Sequence, residues 1–381
     1  MHSIRILDAA SNEWDQWLEA ANHDFYQLRQ YHLCAQENGE GRAFLAVSGS
    51  AEQFVAWPYL LRDIPGESTL KDVCSAYGYP GPVCSRGLRD AAVIENAWKE
   101  IVAAWRFQNA VSAFTRFHPL IENSEWLMRT SASLGIRSNG ETVSLDLECS
   151  DDERRRAYQR ILRQEINSAR QLGVTTEVDE SWSRLDEFVV LYHQTMERNK
   201  AAGSYFFPIE YFRELKAALG SHAHLMVTTF QGQLALACVF IEYAGTLHAH
   251  LEGADHRFMH LSPFKVMVDD VSRWARERGN RALHLGGGRG GRNDSLFAFK
   301  ARFSKRRHQF RTGRWVIDDA AYAGLCEARK AEASQSAMEY APGEFFPAYR
   351  APLQSVAPLS QHFNLPETLS RDSASGQCEE V

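Results

Sequence analysis

The sequence predicts an α/β (α+β) protein of two similar units, each a mixed, mainly antiparallel sheet flanked by helices. Three observations lead there. The 381 residues, 44% hydrophobic and 24% charged, suffice for roughly two domains of about 150 residues. Short apolar runs of strand type alternate with helical periodicities in both halves. A polar stretch, Cys149-Ser150-Asp151-Asp152-Glu153, interrupts the pattern midway. The expected domains are therefore 1–148 and 149–350, and 351–381, which contains PETLSRDSASGQ, reads as a flexible tail.

Element by element, a strand is predicted over 4–7 and a helix from Ser11, whose hydroxyl can cap the first free N–H groups. Strands follow over 44–47 and 54–61. The segment 72–82, Asp-Val-Cys-Ser-Ala-Tyr-Gly-Tyr-Pro-Gly-Pro, is rich in turn formers and reads as a loop. A helix over 88–108, a strand over 111–117, a further helix and a strand over 142–147 complete the first unit. The second opens with helices near 152–172, 183–199 and 208–219. Strands over 225–230 and 234–243, joined by the Gln231-Gly232 turn, form an antiparallel meander with a third over 246–252. A helix begins at Ser262-Pro263, where proline suits the first turn, and runs to Gly279. A short strand over 282–285 follows it.

Composition excludes several classes. The opening residues, MHSIRILDAASNEWDQW, lack the order of a signal peptide, and no apolar run approaches the ~18 residues of a membrane span. A cytoplasmic protein without membrane insertion is expected. Seven cysteines, odd in number and free of any CxxC, indicate reduced thiols rather than a disulfide framework or zinc knuckle. Tandem units can pair internally, so a monomer is expected.

The charge is focused. The chain carries a formal −6, yet residues 281–314 hold ten Lys/Arg against one acid, Asp294, and removing that +9 leaves −15 elsewhere. Such focusing suggests an anionic ligand. Within it, Gly286–Gly291 satisfies GxGxxG after a strand, but a meander precedes it and basic residues follow, unlike a dinucleotide-binding βαβ unit. It reads as a turn at the edge of a site, carrying Arg289, Arg292 and Asp294. A second basic element spans 153–170, with six arginines against two glutamates. His248, His250, His256 and His260 fall within 13 residues. HxH on a strand puts two imidazoles on one face, but no carboxylate or cysteine ligand stands nearby and no metal is expected. Tyr77 and Tyr79, among glycines and prolines, are candidates to line a cleft, with Asp72 and Arg116 as polar partners. Asp72 is a candidate catalytic base.

The succession SAYGYPGP (75–82), RFHPL (116–120), ILRQEINSARQLG (161–173), YHQTMERNKAAGSYFF (192–207), HAHLEGA (248–254) and LHLGGG…DSLFAFKARFS (283–304) resembles the Fem-like aminoacyltransferases and their GNAT-superfamily relatives, over most of residues 25–315. The resemblance implies two tandem GNAT-like domains and transfer of an aminoacyl group from an aminoacyl-tRNA to an amine of a small metabolite or peptide. No cofactor is implied. It matches Lys300 to the lysine that this family places at the tRNA end of the transfer site, where a cation would stabilise the oxyanion formed as an amine attacks an ester. It matches Arg198 to a phosphate-binding arginine, a role that suits a guanidinium. Tyr205 lies in the same motif, and His250 lies on a strand that would face the cleft. The basic segment, Arg302, Lys305, Arg306, Arg307 and Arg311, would meet the tRNA backbone. Asn199-Lys200-Ala201-Ala202-Gly203 departs from the peptidoglycan enzymes, which points away from a cell-wall acceptor. Acyl-CoA relatives wrap pyrophosphate with a glycine-containing loop, whereas residues 257–263 here, RFMHLSP, contain none. Two alternatives stay open: an acyl-CoA-dependent N-acyltransferase, and a non-catalytic RNA-binding module.

Overall fold

The computed structural model describes residues 4–355. The expected tail lies, from residue 356 on, outside the described residues. The chain divides into two compact units after Gly324.

The first unit opens with β1 (Arg5–Asp8), α1 (Glu13–Glu19), α2 (Arg29–Glu37), β2 (Arg42–Gly49), β3 (Phe54–Asp63), β4 (Lys71–Cys74), β5 (Val83–Cys84), α3 (Ala91–Phe107), β6 (Ala110–Arg116) and β7 (Ile136–Asp146). It continues through α4 (Asp151–Ala157), α5 (Arg160–Gln171), β8 (Val174–Val178), α6 (Leu185–Arg198), α7 (Ile209–Leu219), β9 (Ala223–Phe230), β10 (Gln233–Tyr243), β11 (Thr246–Ala254) and α8 (Pro263–Glu277). Next come β12 (Ala282–Gly287), α9 (Ser295–Lys300), β13 (Arg306–Val316) and the start of α10 (Asp319–Gln335). The second unit holds the rest of α10 and the antiparallel pair β14 (Met338–Glu339) and β15 (Gln354–Ser355). There the Arg329 guanidinium donates to the Ala351 carbonyl at 3.1 Å.

Thirteen strands form one mixed sheet in the order β1-β2-β3-β4-β6-β13-β7-β12-β11-β10-β9-β8, with β5 paired to β3. The first and second halves of the chain therefore share a continuous hydrogen-bonded sheet. They also share a core, since Trp14, Phe25 and Tyr31 from the first half and Phe188, Phe212 and Leu225 from the second belong to one buried cluster.

Local chemistry sets the elements. Ser150 accepts from the Glu153 N–H at 3.3 Å while the Glu153 carboxylate accepts from the Ser150 N–H at 2.9 Å, a capping box that starts α4. The predicted helix over 152–172 is two helices, because Tyr158 and Gln159 leave helical geometry (ψ 146° and 141°). In α5, Leu162, Ile166 and Ala169 are buried, at the i, i+4, i+7 spacing of one face.

Two expectations are corrected. The helix placed between 117 and 142 is a pair of 3-10 turns at Leu127–Arg129 and Ser131–Gly135. The cationic run over 306–316 is a strand: β13 lies between β6 and β7, antiparallel to both. Its charges hid it. Arg306 pairs with Asp146 and Arg311 with Glu125, so carboxylates of the first half neutralise a strand whose residues lack apolar alternation. Strands β4 and β8 also escaped the reading, being 4 and 5 residues long.

The glycine loop is seated by close backbone approach. Gly291 has φ +80°, and a Cβ there would sit 2.0 Å from the Asn139 carbonyl oxygen. Gly290 has φ +61° with open space around it. Gly291→Ala should therefore cost about 2–4 kcal/mol, from backbone strain plus overlap, and Gly290→Ala about 1 kcal/mol, from strain alone. Urea denaturation of the two variants measures the difference.

Candidate active site

The site begins where two parallel strands part. β11 and β12 pair only at Thr246↔Ala282, Leu247↔Leu283 and His248↔His284. Beyond that point each strand carries an extra residue relative to its outer neighbour, His250 on β11 against β10 and Leu285 on β12 against β7. Bulges bend and twist a strand, so the two diverge and leave a cleft of about 440 Å³ between residues 249–252 and 285–292. Its other wall is the loop after β4, predicted over 72–82 to line a cleft. There Tyr77 and Tyr79 face the cleft beside Tyr26, and the Arg116 side chain reaches it from the end of β6. Gly78 has φ +86° and lies so close to Tyr26 that a Cβ would fall 2.0 Å from its ring. That contact fixes the two flanking tyrosines. Tyr77 in turn packs edge-on against Tyr205 and His250, with ring centroids at 6.1 and 5.3 Å.

Lys300, in the last turn of α9, brings its ammonium to the cleft floor and donates to the Gly287 carbonyl at 2.9 Å. Burial lowers its pKa, while Glu252 opposes that effect. Glu252 lines the same cleft; burial raises its carboxyl's pKa and Lys300 pulls it back. Each acts on the other's titration across a partly desolvated space, where electrostatic effects exceed those in water. Burial also pushes the Tyr79 hydroxyl up to about 12 and the His250 imidazole down to about 3. Both are therefore neutral near pH 7.

Beneath the apex of the cleft lies a second cluster. The Asp24 carboxylate accepts from the His248 ring at 3.0 Å and lies 3.5 Å from His118 Nε2. His248 Nδ1 is 3.3 Å from His284 Nδ1. Burial alone would raise the Asp24 pKa, but the neighbouring His248 and His118 imidazoles outweigh it and hold the carboxyl well below the usual range. Asp24, His118 and His248 bring three metal-type donors within 4.8 Å. The His118 tautomer works against a cation there. Its Nδ1 accepts from the Leu120 and Ile121 backbone N–H groups, both at 3.2 Å, so the ring proton sits on Nε2, the atom that would have to bind the ion.

The expected residues divide. Lys300, Tyr77, Tyr79, Arg116, Tyr205, His250 and Arg292 line the cleft. Arg198 stands beside it, donating to the Ala254 carbonyl at 2.6 Å and to Thr195 Oγ1 at 2.7 Å. Asp294 caps α9, accepting from the Phe297 and Arg289 N–H groups at 3.0 and 3.1 Å and pairing with the Arg289 guanidinium. Its carboxylate shapes the glycine loop. Asp72 is elsewhere: it is buried on β4 against Arg62, 2.7 Å away across the β3–β4 ladder inside the sheet. The five residues placed on tRNA do not form one open basic patch. Arg302 pairs with Glu165 at 2.9 Å, Arg306 with Asp146 and Arg311 with Glu125. Arg307 donates to the Ser304 carbonyl at 2.8 Å, and Lys305 is exposed. His256 and His260 lie on the 3-10 turn His256–Leu261, outside the residues lining the cleft.

Sequence reading missed Glu252, Asp24, His118 and His284. One signal was available for Asp24, since Gln27 follows three residues later and the two form a capping box. For the others, only the fold brings the partners together: His284 meets His248 from 36 residues away, and Glu252 and His118 carry no local pattern that marks them.

Among curated proteins none matches the sequence. Residues 154–301 match the acetyltransferase (GNAT) domain family. Among solved structures, FemX is similar over 84% of this chain and 99% of its own, with a TM-score of 0.63 at 14% identity. The C-terminal domain of a protein described as a lysylphosphatidylglycerol synthetase from Agrobacterium fabrum is similar over 80% and 92%, with a TM-score of 0.51 at 16% identity. A conserved protein of unknown function from Bacteroides thetaiotaomicron gives 0.51 at 12% identity, over 82% and 99%.

Residues 154–301 match a GNAT domain, and the fold of the chain is similar to that of FemX. The divergence of β11 and β12 lies inside the matched residues, so the cleft belongs to the half that carries the GNAT match. The Tyr77–Tyr79 wall is supplied by the other. Among the described residues no helix is long and apolar enough to cross a membrane.

Buried neutral imidazoles make stability pH-dependent. His32 and His250 are held down to about 4 and about 3 by burial, against about 6.5 when unfolded. Below pH 6.5 the unfolded chain binds protons that the folded chain refuses, so stability is complete above that pH and falls as pH drops toward 4. At pH 5 the loss is on the order of 2 kcal/mol for each ring. A falling Tm between pH 7 and 5, restored in part by His32→Gln, is the expected result.

Proposed function

We propose that this chain is an aminoacyltransferase that forms an amide between the aminoacyl group of an aminoacyl-tRNA and an amine of a small metabolite or peptide. The observation that carries this reading is the Lys300 ammonium, held on the Gly287 carbonyl at 2.9 Å on the floor of a tyrosine-lined cleft. As the amine attacks the ester, negative charge grows on the carbonyl oxygen. A fixed cation in a water-poor space stabilises that charge without having to reorganise. Tyr77, Tyr79 and Tyr205 supply flat walls for the acceptor. Arg116, Lys200, Arg289 and Arg292 surround the cleft with positive charge and favour an acceptor or donor end that carries anionic groups.

The segment before α8 supports a donor other than acyl-CoA. In a GNAT domain this is where backbone N–H groups would meet a pyrophosphate. Here Asp255 accepts from the Arg257 N–H at 2.9 Å and pairs with its guanidinium, and α8 starts on Pro263, which has no N–H to offer. A carboxylate and a proline suit a diphosphate poorly. The tRNA contact would then use the mouth cations and Lys305, since Arg302, Arg306 and Arg311 already have carboxylate partners.

The match to the acetyltransferase domain favours acyl-CoA as the second reading, and donor choice separates the two. Purified protein is offered charged total tRNA or a set of acyl-CoAs with an amine library. Amide formation abolished by RNase supports the tRNA donor, and product that persists after RNase overturns it. With the productive donor, Lys300→Ala should lower transfer more than about tenfold, or about 1.4 kcal/mol, while donor affinity changes little. Unchanged transfer would remove Lys300 from the mechanism.

A further inference from the structure

The proposed reaction leaves one proton to place, since the nitrogen that attacks the carbonyl must lose one before the amide is complete. Glu252 is the obvious candidate inside the cleft, but it is the countercharge of Lys300. Protonating Glu252 would strip the cation of its partner as the oxyanion forms.

The buried cluster beneath the cleft offers another acceptor. Asp24 also accepts from the Phe25 N–H at 2.6 Å, so it is an acceptor held ionised, and the 3.0 Å contact places the proton of His248 on Nε2. With that proton fixed, the un-ionised form of His248 presents a lone pair at Nδ1. In that form the 3.3 Å contact has His284 donating from its own Nδ1. The assignment that follows has Asp24 accepting from His248, His248 accepting from His284, and His284 Nε2 left with a lone pair. That nitrogen is buried and has no hydrogen-bond partner among the described residues, a costly state for a basic atom unless something occupies it. His284 immediately precedes Leu285, where β12 leaves β11 and begins to line the cleft. The cleft residue Tyr79 packs edge-on against its ring at 5.5 Å.

We propose that Asp24, His248 and His284 form a proton relay, and that His284 Nε2, through one water, takes the proton the attacking amine loses. In the full step the C–N bond forms and the bond from the carbonyl carbon to the leaving atom breaks, C–O for a tRNA ester and C–S for a thioester. The proton passes from nitrogen to His284 and on to that leaving oxygen or sulfur, so His284 ends neutral. His284 accepts the proton through water, and Asp24 and His248 are positioning residues that fix its tautomer. Burial together with the neighbouring His248 and His118 keeps His284 unprotonated near pH 7, so the lone pair is available. The titratable groups that act on it are His248, His118, His308 and Lys300.

This inference rests on the amide-forming reading but not on the donor, because the proton comes from the amine whether the acyl group arrives on tRNA or on CoA. The test compares wild type, His284→Gln, Asp24→Asn and Glu252→Gln with two acceptors, an ordinary alkylamine and hydroxylamine, whose weakly basic nitrogen needs little help in losing its proton. His284→Gln should lose about 100-fold in kcat with the alkylamine, with acceptor KM unchanged, and recover most of that loss with hydroxylamine. Equal losses with both acceptors would show that His284 only supports the fold. A loss confined to Glu252→Gln would assign the proton to that carboxylate and overturn the relay. A readout independent of activity is the imidazole tautomer in 15N-histidine spectra of the full chain. His284 should carry its proton on Nδ1 in the wild type and on Nε2 in Asp24→Asn, where the amide, by donating to His248 Nε2, reverses the chain. A proton on Nε2 in the wild type would refute the assignment.

Discussion

The brevity of one strand pairing organises the active half of this protein. β11 and β12 are parallel neighbours for three residue pairs and then separate, because a bulge on each turns it away from the other. A longer pairing would close the sheet and leave no room for a substrate. The opening is held from both sides. Below it, His248 and His284 are the last paired residues and are locked by Asp24. Above it, α9 is capped by Asp294 and returns Lys300 to the Gly287 carbonyl. The wedge is thus pinned at its apex and at its rim.

The first half has the same device in a filled form. β4 and β6 are also parallel neighbours, and the chain leaves β4 at Ser75, whose N–H donates to the Phe114 carbonyl at 3.0 Å while its hydroxyl accepts from the Arg116 N–H at 3.3 Å. There the gap is bridged by the protein itself. The residues that follow become the tyrosine wall of the other half's cleft. One half is arranged for binding a reacting group and the other for shaping the space around it.

Polar burial at the centre is extensive and mostly satisfied. Gln27 accepts from the Asp24 N–H at 2.8 Å, and its side-chain amide also donates to the Pro80 carbonyl. The Asp24–Gln27 box thereby ties the histidine cluster to the loop that carries Tyr77 and Tyr79. A network of this kind favours one arrangement, since alternatives leave more buried donors unpaired. The buried atoms without a partner among the described residues include Nε2 of His118, both ring nitrogens of His250 and Nε2 of His284, and His250 lines the cleft while His284 sits at its apex.

Much of the second half was legible in local pattern, because a meander with a Gln-Gly turn, a Ser-Pro helix start and a short following strand each follow from chemistry between neighbouring residues. Tyr77, Tyr79, Arg116, His250 and Lys300 could be nominated from motif order and chemical type. The charged strand β13 could not be read, since its stability comes from backbone pairing on both edges and from acids as distant in sequence as Asp146 and Glu125. Asp72 looked available and is consumed by Arg62. The basic run looked open and is largely paired. Sequence by itself determined the helices and strands with clear local periodicity and which residue types could do chemistry, because those depend on short-range pattern and intrinsic reactivity. Only the tertiary structure decided which of those groups are free, which are neutralised, and that Asp24, His118, His248 and His284 meet, because charge pairing and burial are set by long-range contacts that leave no local trace.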